Sequence, residues 1–110
     1  MGIPCLPYES IAIFATKDGV LQKVEHLSDG LATSARLTSG LVKDLCEANG
    51  CDEVILAHTH PYGACVPSPE DVAVTYRLMA DLAEYNIRLR DHIIVTREEY
   101  LSMKRKGFLK

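Results

Sequence analysis

Runs of apolar residues along the chain predict a series of short strands. An apolar run from Glu9 to Thr16 is followed by a Lys-Asp-Gly turn and by a partly alternating run from Val20 to His26. Two such runs around a glycine-containing turn predict a β-hairpin over residues 9–26. The apolar runs 53–58 and 92–95 predict two further strands, and the first of these is expected to be buried on both faces.

Two other segments have apolar residues at helical spacing. The first begins at about residue 38 or 39 and ends at Asn49-Gly50. The second begins at Ser68-Pro69, because serine caps a helix and proline suits its first turn, and it ends at Asn86. The order β-β-α-β-α-β predicts an α/β fold with helices covering a mixed sheet. The apolar stripe of the second helix is expected to comprise Val72, Tyr76, Met79, Leu82 and Ala83.

Length and composition favour a single globular domain over residues 1–110, since 47% of the residues are hydrophobic and 25% are charged. No apolar run approaches the roughly 18–20 residues of a membrane span, and the N-terminus does not resemble a signal peptide. The four cysteines form no C-x-x-C pair, and Cys46 has apolar neighbours typical of a core residue. A cytoplasmic protein without structural disulfides is therefore predicted.

The distribution of charge argues against a nucleic-acid partner. The net charge is −3, and no Lys or Arg lies between Lys43 and Arg77, whereas six acidic residues do. An electronegative middle third favours a cation over a phosphate backbone. Only the segment from Arg97 to Lys110 is basic, and it is interpreted as a solvated end of the chain.

One group of residues predicts metal chemistry. His58 and His60, two residues apart at the end of a strand, project from the same face, and Asp71 follows in the first turn of the next helix. Three nitrogen and oxygen ligands with one open position are typical of a catalytic zinc, whereas structural zinc usually has four protein ligands. Ser68 and Asp71 also fit a helix-capping box, and either histidine alone fits a structural role. Their combination favours the metal site.

This combination resembles the metal signature of the JAMM (MPN-plus) metalloproteases, and within that group the RadC-type bacterial branch. The matching segments are His58–Gly63, Pro67–Asp71 and Asp91–Val95, and the resemblance extends from about Tyr8 to the end of the chain. It implies a cytidine-deaminase-like fold with three α/β/α layers. It also implies one Zn²⁺ per chain, held by His58, His60 and Asp71.

The same resemblance implies a hydrolase that cleaves a peptide or isopeptide amide bond in a peptide or protein substrate. The family uses a glutamate at the first strand as general acid/base, which by position is Glu9, although Glu25 and Glu53 remain alternatives. Such a group must take a proton from water and return it to the leaving amine. Ser68 matches the family serine that stabilises the oxyanion.

The chain departs from the family pattern near the predicted metal site. RadC-type sequences commonly read H-N-H-P-S-G, whereas Thr59 and Tyr62 stand at the variable positions here. Tyr62 and Cys65 are expected to reshape the loop and so alter the choice of substrate, and Cys65 is interpreted as a bystander rather than a ligand. His92, which begins an apolar run, is interpreted as a hydrogen-bonded structural histidine rather than part of a second metal site.

A second hypothesis is a non-catalytic protein- or DNA-binding module of RadC type linked to DNA repair. The N-terminal helical domain of full-length RadC-type proteins has no counterpart in this sequence, so DNA affinity linked to that region is not expected. A nucleoside deaminase is excluded, because it needs H-x-E and P-C-x-x-C and neither occurs. The sequence specifies neither the substrate nor the oligomeric state.

Overall fold

A five-stranded mixed sheet carries two helices in the computed structural model, which describes residues 10–27, 38–59, 65–96 and 99–108. The strand order is β2-β1-β3-β4-β5, and only the central pair β3 and β4 is parallel. In chain order the elements are β1 (Ile11–Lys17), β2 (Val20–Leu27), α1 (Ser39–Asn49), β3 (Glu53–Thr59), α2 (Pro69–Ala83), β4 (Arg88–Val95) and β5 (Tyr100–Ser102).

Turn and cap residues at the predicted positions end the first elements. Asp18 and Gly19 have φ angles of 52° and 78°, the left-handed pair that a tight hairpin turn requires. The side chain of Thr38 accepts a hydrogen bond from the Leu41 N–H at the start of α1, and Gly50, at φ 66°, ends the helix. The predictions of the hairpin and of α1 are therefore confirmed.

Both described helices pack against the same face of the sheet. The core consists of alternate residues of β1, β3 and β4 together with residues of α1 and α2. Cys46 of α1 is only 1% exposed, which confirms its prediction as a core residue. The α/β prediction is confirmed, while a third layer on the opposite face stays an expectation. The buried residues of this cluster are Ile11, Ile13, Ala15, Val42, Cys46, Cys51, Val54, Leu56, Leu78, Leu82, Ile87 and Leu89.

The buried stripe of α2 is displaced by one residue from the predicted one. Asp71, Thr75, Leu78 and Leu82 are buried, whereas Tyr76 is 47% exposed. Of the five residues expected in the stripe, only Leu82 is buried, so that prediction is wrong for the most part. Hydrophobic periodicity misplaced the stripe because two of the residues that face the sheet are polar.

The C-terminal part of the described chain contains more strand than expected. β4 begins at Arg88 rather than at His92, and β5 was not predicted. The basic residues at positions 104–106 are exposed, as the interpretation of a solvated segment requires. Among the residues described, no helix is long and apolar enough to cross a membrane.

Candidate metal centre

The candidate centre lies where β3 ends and α2 begins. His58 is the penultimate residue of β3 and pairs with Ile11 on one side and with Ile94 on the other. Because β3 and β4 are parallel, the connecting helix starts near the carboxyl end of β3 and carries Asp71 in its first turn. His58 and Asp71 are each 2% exposed. Two predicted ligands far apart in sequence are thus buried together.

The contact between His58 and Asp71 is direct. His58 Nδ1 lies 3.3 Å from Asp71 Oδ1, and both side chains are 3% exposed. A carboxylate buried this deeply is costly unless it is paired or hydrogen-bonded. The contact therefore brings an imidazole nitrogen and a carboxylate oxygen, both common zinc ligands, to one buried point.

Ser68 holds the other oxygen of the Asp71 carboxylate. The Ser68 N–H donates to Asp71 Oδ2 over 3.0 Å, and the Asp71 N–H donates to Ser68 Oγ over 3.0 Å. These two bonds form the capping box that the sequence allowed. The same geometry fixes the carboxylate in front of His58, so capping and ligand placement do not compete.

A second polar contact lies one helical turn further along α2, where Thr75 meets His92 of β4. Thr75 Oγ1 donates to the Asp71 carbonyl over 2.6 Å and lies 2.7 Å from His92 Nδ1. A hydroxyl has one proton, so once it is donated to Asp71 the oxygen accepts the Nδ1–H of His92. His92 is 3% exposed, and this bond supports its interpretation as a structural histidine.

The four side chains form one buried cluster between the sheet and α2. The rings of His58 and His92 lie with their centroids 6.1 Å apart and their planes 28° apart. Sequence analysis missed Thr75, although its position four residues after Asp71, on the same helix face, could have identified it. The cluster consists of His58, Asp71, Thr75 and His92.

Asp91 has a separate structural role. Its carboxylate accepts hydrogen bonds from the Ser102 hydroxyl (2.5 Å), the His92 N–H (2.7 Å) and the Lys104 N–H (3.1 Å). Neighbouring residues of a strand point to opposite faces, so Asp91 and His92 do not converge on one ion. Asp91 therefore ties β4 to β5, and His92 stays interpreted as a structural histidine.

The candidates for the general base differ in position. Glu9 lies outside the described residues, as do His60 and Tyr62. Glu53 begins β3, so five residues of strand, roughly 16 Å, separate it from His58. Glu25 is in β2 opposite Ile13, two strands and roughly 10 Å from β3. Neither alternative to Glu9 is therefore a neighbour of His58 in the sheet.

Cys65 is buried beside β4 rather than presented as a ligand. Its thiol donates to the Ile94 carbonyl over 3.5 Å. Burial raises the pKa of the Cys65 thiol, and the charge of Glu99 raises this pKa further. Its burial and its hydrogen bond to the Ile94 carbonyl support its interpretation as a bystander.

The described residues supply only part of the predicted ligand set. Within ranges 10–27, 38–59, 65–96 and 99–108, no three His, Cys, Asp or Glu side chains form a group that could hold a metal ion. The predicted third ligand, His60, belongs to the part of the chain that is not described. What the described part contributes is the His58–Asp71 pair.

Comparison with known proteins gives one family. Residues 8–108 match the family model of the RadC-like JAB domain. A UPF0758 protein of Polaromonas sp. is 35% identical over 104 residues, which are 94% of this chain and 46% of the relative. A UPF0758 protein of Ectopseudomonas mendocina is 40% identical over 85 residues, 77% of this chain and 38% of that relative. The chain thus spans less than half the length of these relatives.

Proposed function

The chain belongs to the RadC-like JAB domain family, and on that basis we propose that it is a zinc-dependent hydrolase of peptide or isopeptide amide bonds. The observation that carries the proposal is the buried contact between His58 and Asp71 at the start of α2. His58 of the H-x-H segment and Asp71 of the S-x-x-D segment meet at this contact.

The two described residues at the centre fit zinc in their chemistry. An imidazole nitrogen and a carboxylate oxygen are both common zinc ligands, and both would be available to the ion here. His58 Nδ1 and Asp71 Oδ1 are 3.3 Å apart. We assign the third ligand to His60, two residues beyond His58 in sequence, so that His58, His60 and Asp71 would hold the ion.

Zinc supplies a Lewis acid there, which polarises a carbonyl and brings the pKa of a bound water to about 7. The remaining steps belong to the chain. His58 and Asp71 would hold the ion, while Ser68 and the first turn of α2 fix the Asp71 carboxylate. Glu9 takes a proton from the attacking water and returns it to the leaving amine nitrogen.

Ser68 has a second role in this proposal. Its Oγ accepts the Asp71 N–H, so the hydroxyl proton is available for donation. A hydroxyl donor at this place stabilises the negative charge that develops on the substrate carbonyl oxygen during amide cleavage. Capping of α2 and stabilisation of the oxyanion therefore use different parts of one hydroxyl group.

Zinc content of the purified protein, measured by mass spectrometry, tests the proposal. We expect close to one zinc per chain in the wild type and almost none in His58→Ala or His60→Ala, because each substitution removes one of three ligands. His26→Ala is the matched control, since His26 is an exposed histidine on β2 and should leave zinc unchanged.

The variant Glu9→Gln distinguishes zinc binding from proton transfer during amide cleavage. We expect this variant to keep its zinc and to lose cleavage of any amide substrate that the wild type turns over, because glutamine cannot shuttle the proton. Full activity in Glu9→Gln would remove the role assigned to Glu9. A wild type that is free of zinc and takes up none when it is added would refute the hydrolase and favour the binding module.

A further inference from the structure

A groove lies on the face of the sheet opposite the two described helices. Both helices cover the side chains of Ile13, Leu56 and Leu89, so the alternate residues of the same strands point the other way. The groove has a volume of about 520 Å³. Its lining residues come from β3, β4, β5 and the turn that follows β5, namely Ile55, Arg90, Asp91, Ile93, Ser102, Lys104 and Arg105.

The groove combines an apolar floor with a positive rim. Ile55 and Ile93 are only half-buried, whereas the residues on the helix-covered face of the same strands are fully buried. Three of the lining side chains are cationic and one is anionic. The anion, Asp91, already accepts three hydrogen bonds from groups without net charge. The rim therefore has an excess of positive charge that Asp91 does not fully offset.

Two of the three cations have no acidic partner among the described residues. Arg90 forms an ion pair with Glu53 over 3.4 Å, and this pair partly offsets the positive charge of Arg90. Lys104 and Arg105 are exposed, and within the described part of the chain neither forms an ion pair. Their charges are thus available to an anionic group that enters the groove.

Backbone hydrogen bonds fix the turn that carries these two cations. The Lys104 N–H donates to Asp91 over 3.1 Å, and the Arg105 N–H donates to the Ser102 hydroxyl over 3.2 Å. Met103, between them and β5, is fully buried and anchors the turn in the protein. A rim held in place before binding lowers the entropy cost of association.

We propose that this groove binds an acidic peptide segment that contributes carboxylates to the rim and a branched apolar side chain to the isoleucine floor. Charge complementarity selects the acidic partner, because Lys104 and Arg105 are the exposed cations next to the floor. The groove lies on the opposite face of the sheet from the His58–Asp71 pair, so the proposal does not depend on zinc or on catalysis.

A nucleic acid fits this groove less well than a peptide. Proteins that bind single strands use aromatic side chains as stacking platforms and a continuous basic track for the phosphates. The lining contains no aromatic residue among those the structure describes, and its floor is aliphatic. An apolar floor with few cations matches a peptide in which carboxylates flank an aliphatic side chain.

Selection from a phage-displayed library of short random peptides tests the proposal, with the full chain immobilised. We expect the selected peptides to be enriched in Asp and Glu next to Leu, Ile or Val. A fluorescein-labelled copy of a selected peptide should bind wild type at least about tenfold more tightly than Lys104→Glu/Arg105→Glu in fluorescence anisotropy, because that variant puts like charges opposite each other. Replacing the acids of the peptide by amides should weaken binding similarly.

The control variant is Lys23→Glu/Lys106→Glu, which changes the net charge equally at two exposed positions outside the groove lining. It should bind the peptide like wild type, and circular dichroism should show both double variants folded. Selection without acidic enrichment, or equal binding to both double variants, would overturn the proposal. So would tighter binding of a single-stranded oligonucleotide, or a dimer in sedimentation velocity that Lys104→Glu/Arg105→Glu dissociates.

Discussion

The two halves of helix α2 face the same side of the sheet but bury opposite kinds of side chain. Asp71 and Thr75 occupy the first half of the buried stripe, and Leu78 and Leu82 occupy the second half. Burying a leucine contributes roughly 1.5–3 kcal/mol, whereas a buried polar group gains little beyond the hydrogen bonds that replace water. One helix thus divides its stripe between a polar cluster near the carboxyl end of β3 and an apolar core further along.

The largest loss of stability is expected from a substitution in the apolar half of α2. Leu82→Ala should lower the free energy of unfolding by about 2–5 kcal/mol, because Leu82 is fully buried and the substitution leaves a cavity. Urea denaturation measures this loss. Tyr76→Ala, on the exposed side of the same helix, should change the free energy by less than about 0.5 kcal/mol. Equal losses in the two variants would mean that the buried stripe is misassigned.

An intermediate effect is expected in the polar half. Thr75→Val keeps the shape of the side chain but removes the hydroxyl between the Asp71 carbonyl and His92. It leaves the Nδ1–H of His92 without this acceptor, which should lower the free energy of unfolding by about 1–3 kcal/mol. Thr75→Ser keeps the hydroxyl and should lose much less. If urea denaturation gives the same loss for both, the hydroxyl contributes nothing and packing alone matters.

The smallest effect concerns the cap at the beginning of the polar half. Ser68→Ala removes the acceptor of the Asp71 N–H and should lower the free energy of unfolding by about 1 kcal/mol. Ser68→Thr retains an acceptor and should stay close to wild type in thermal and urea denaturation. A Ser68→Ala variant as stable as wild type would show that the capping box does not stabilise α2.

Features set by neighbouring residues were predictable from the sequence. The turn at Asp18-Gly19, the end of α1 at Gly50 and the capping box at Ser68 each depend on a few adjacent side chains, and each formed as expected. The meeting of His58 with Asp71 was also expected, because a strand end and the following helix start are close in a β-α-β unit.

Features set by distant contacts were not predictable in the same way. The stripe of α2 was misplaced because Asp71 and Thr75 are buried by their hydrogen bonds and not by hydrophobicity. Strand β5 has only three residues, and its pairing with β4 is reinforced by Asp91 through Ser102, a contact eleven residues apart. Local propensity contains no information about either arrangement, since both depend on which segments the folded sheet brings together.

The burial of Cys46 at the end of α1 has a consequence for oxidation chemistry. Burial raises the pKa of this thiol to about 11, and the neighbouring Cys51 raises it as well. Because of this raised pKa, little of the thiol is ionised at neutral pH, and the thiolate is the form that oxidants and alkylating reagents attack. The core beneath α1 thus contains a sulfur atom that packs like a small aliphatic group and whose burial lowers its reactivity toward oxidants.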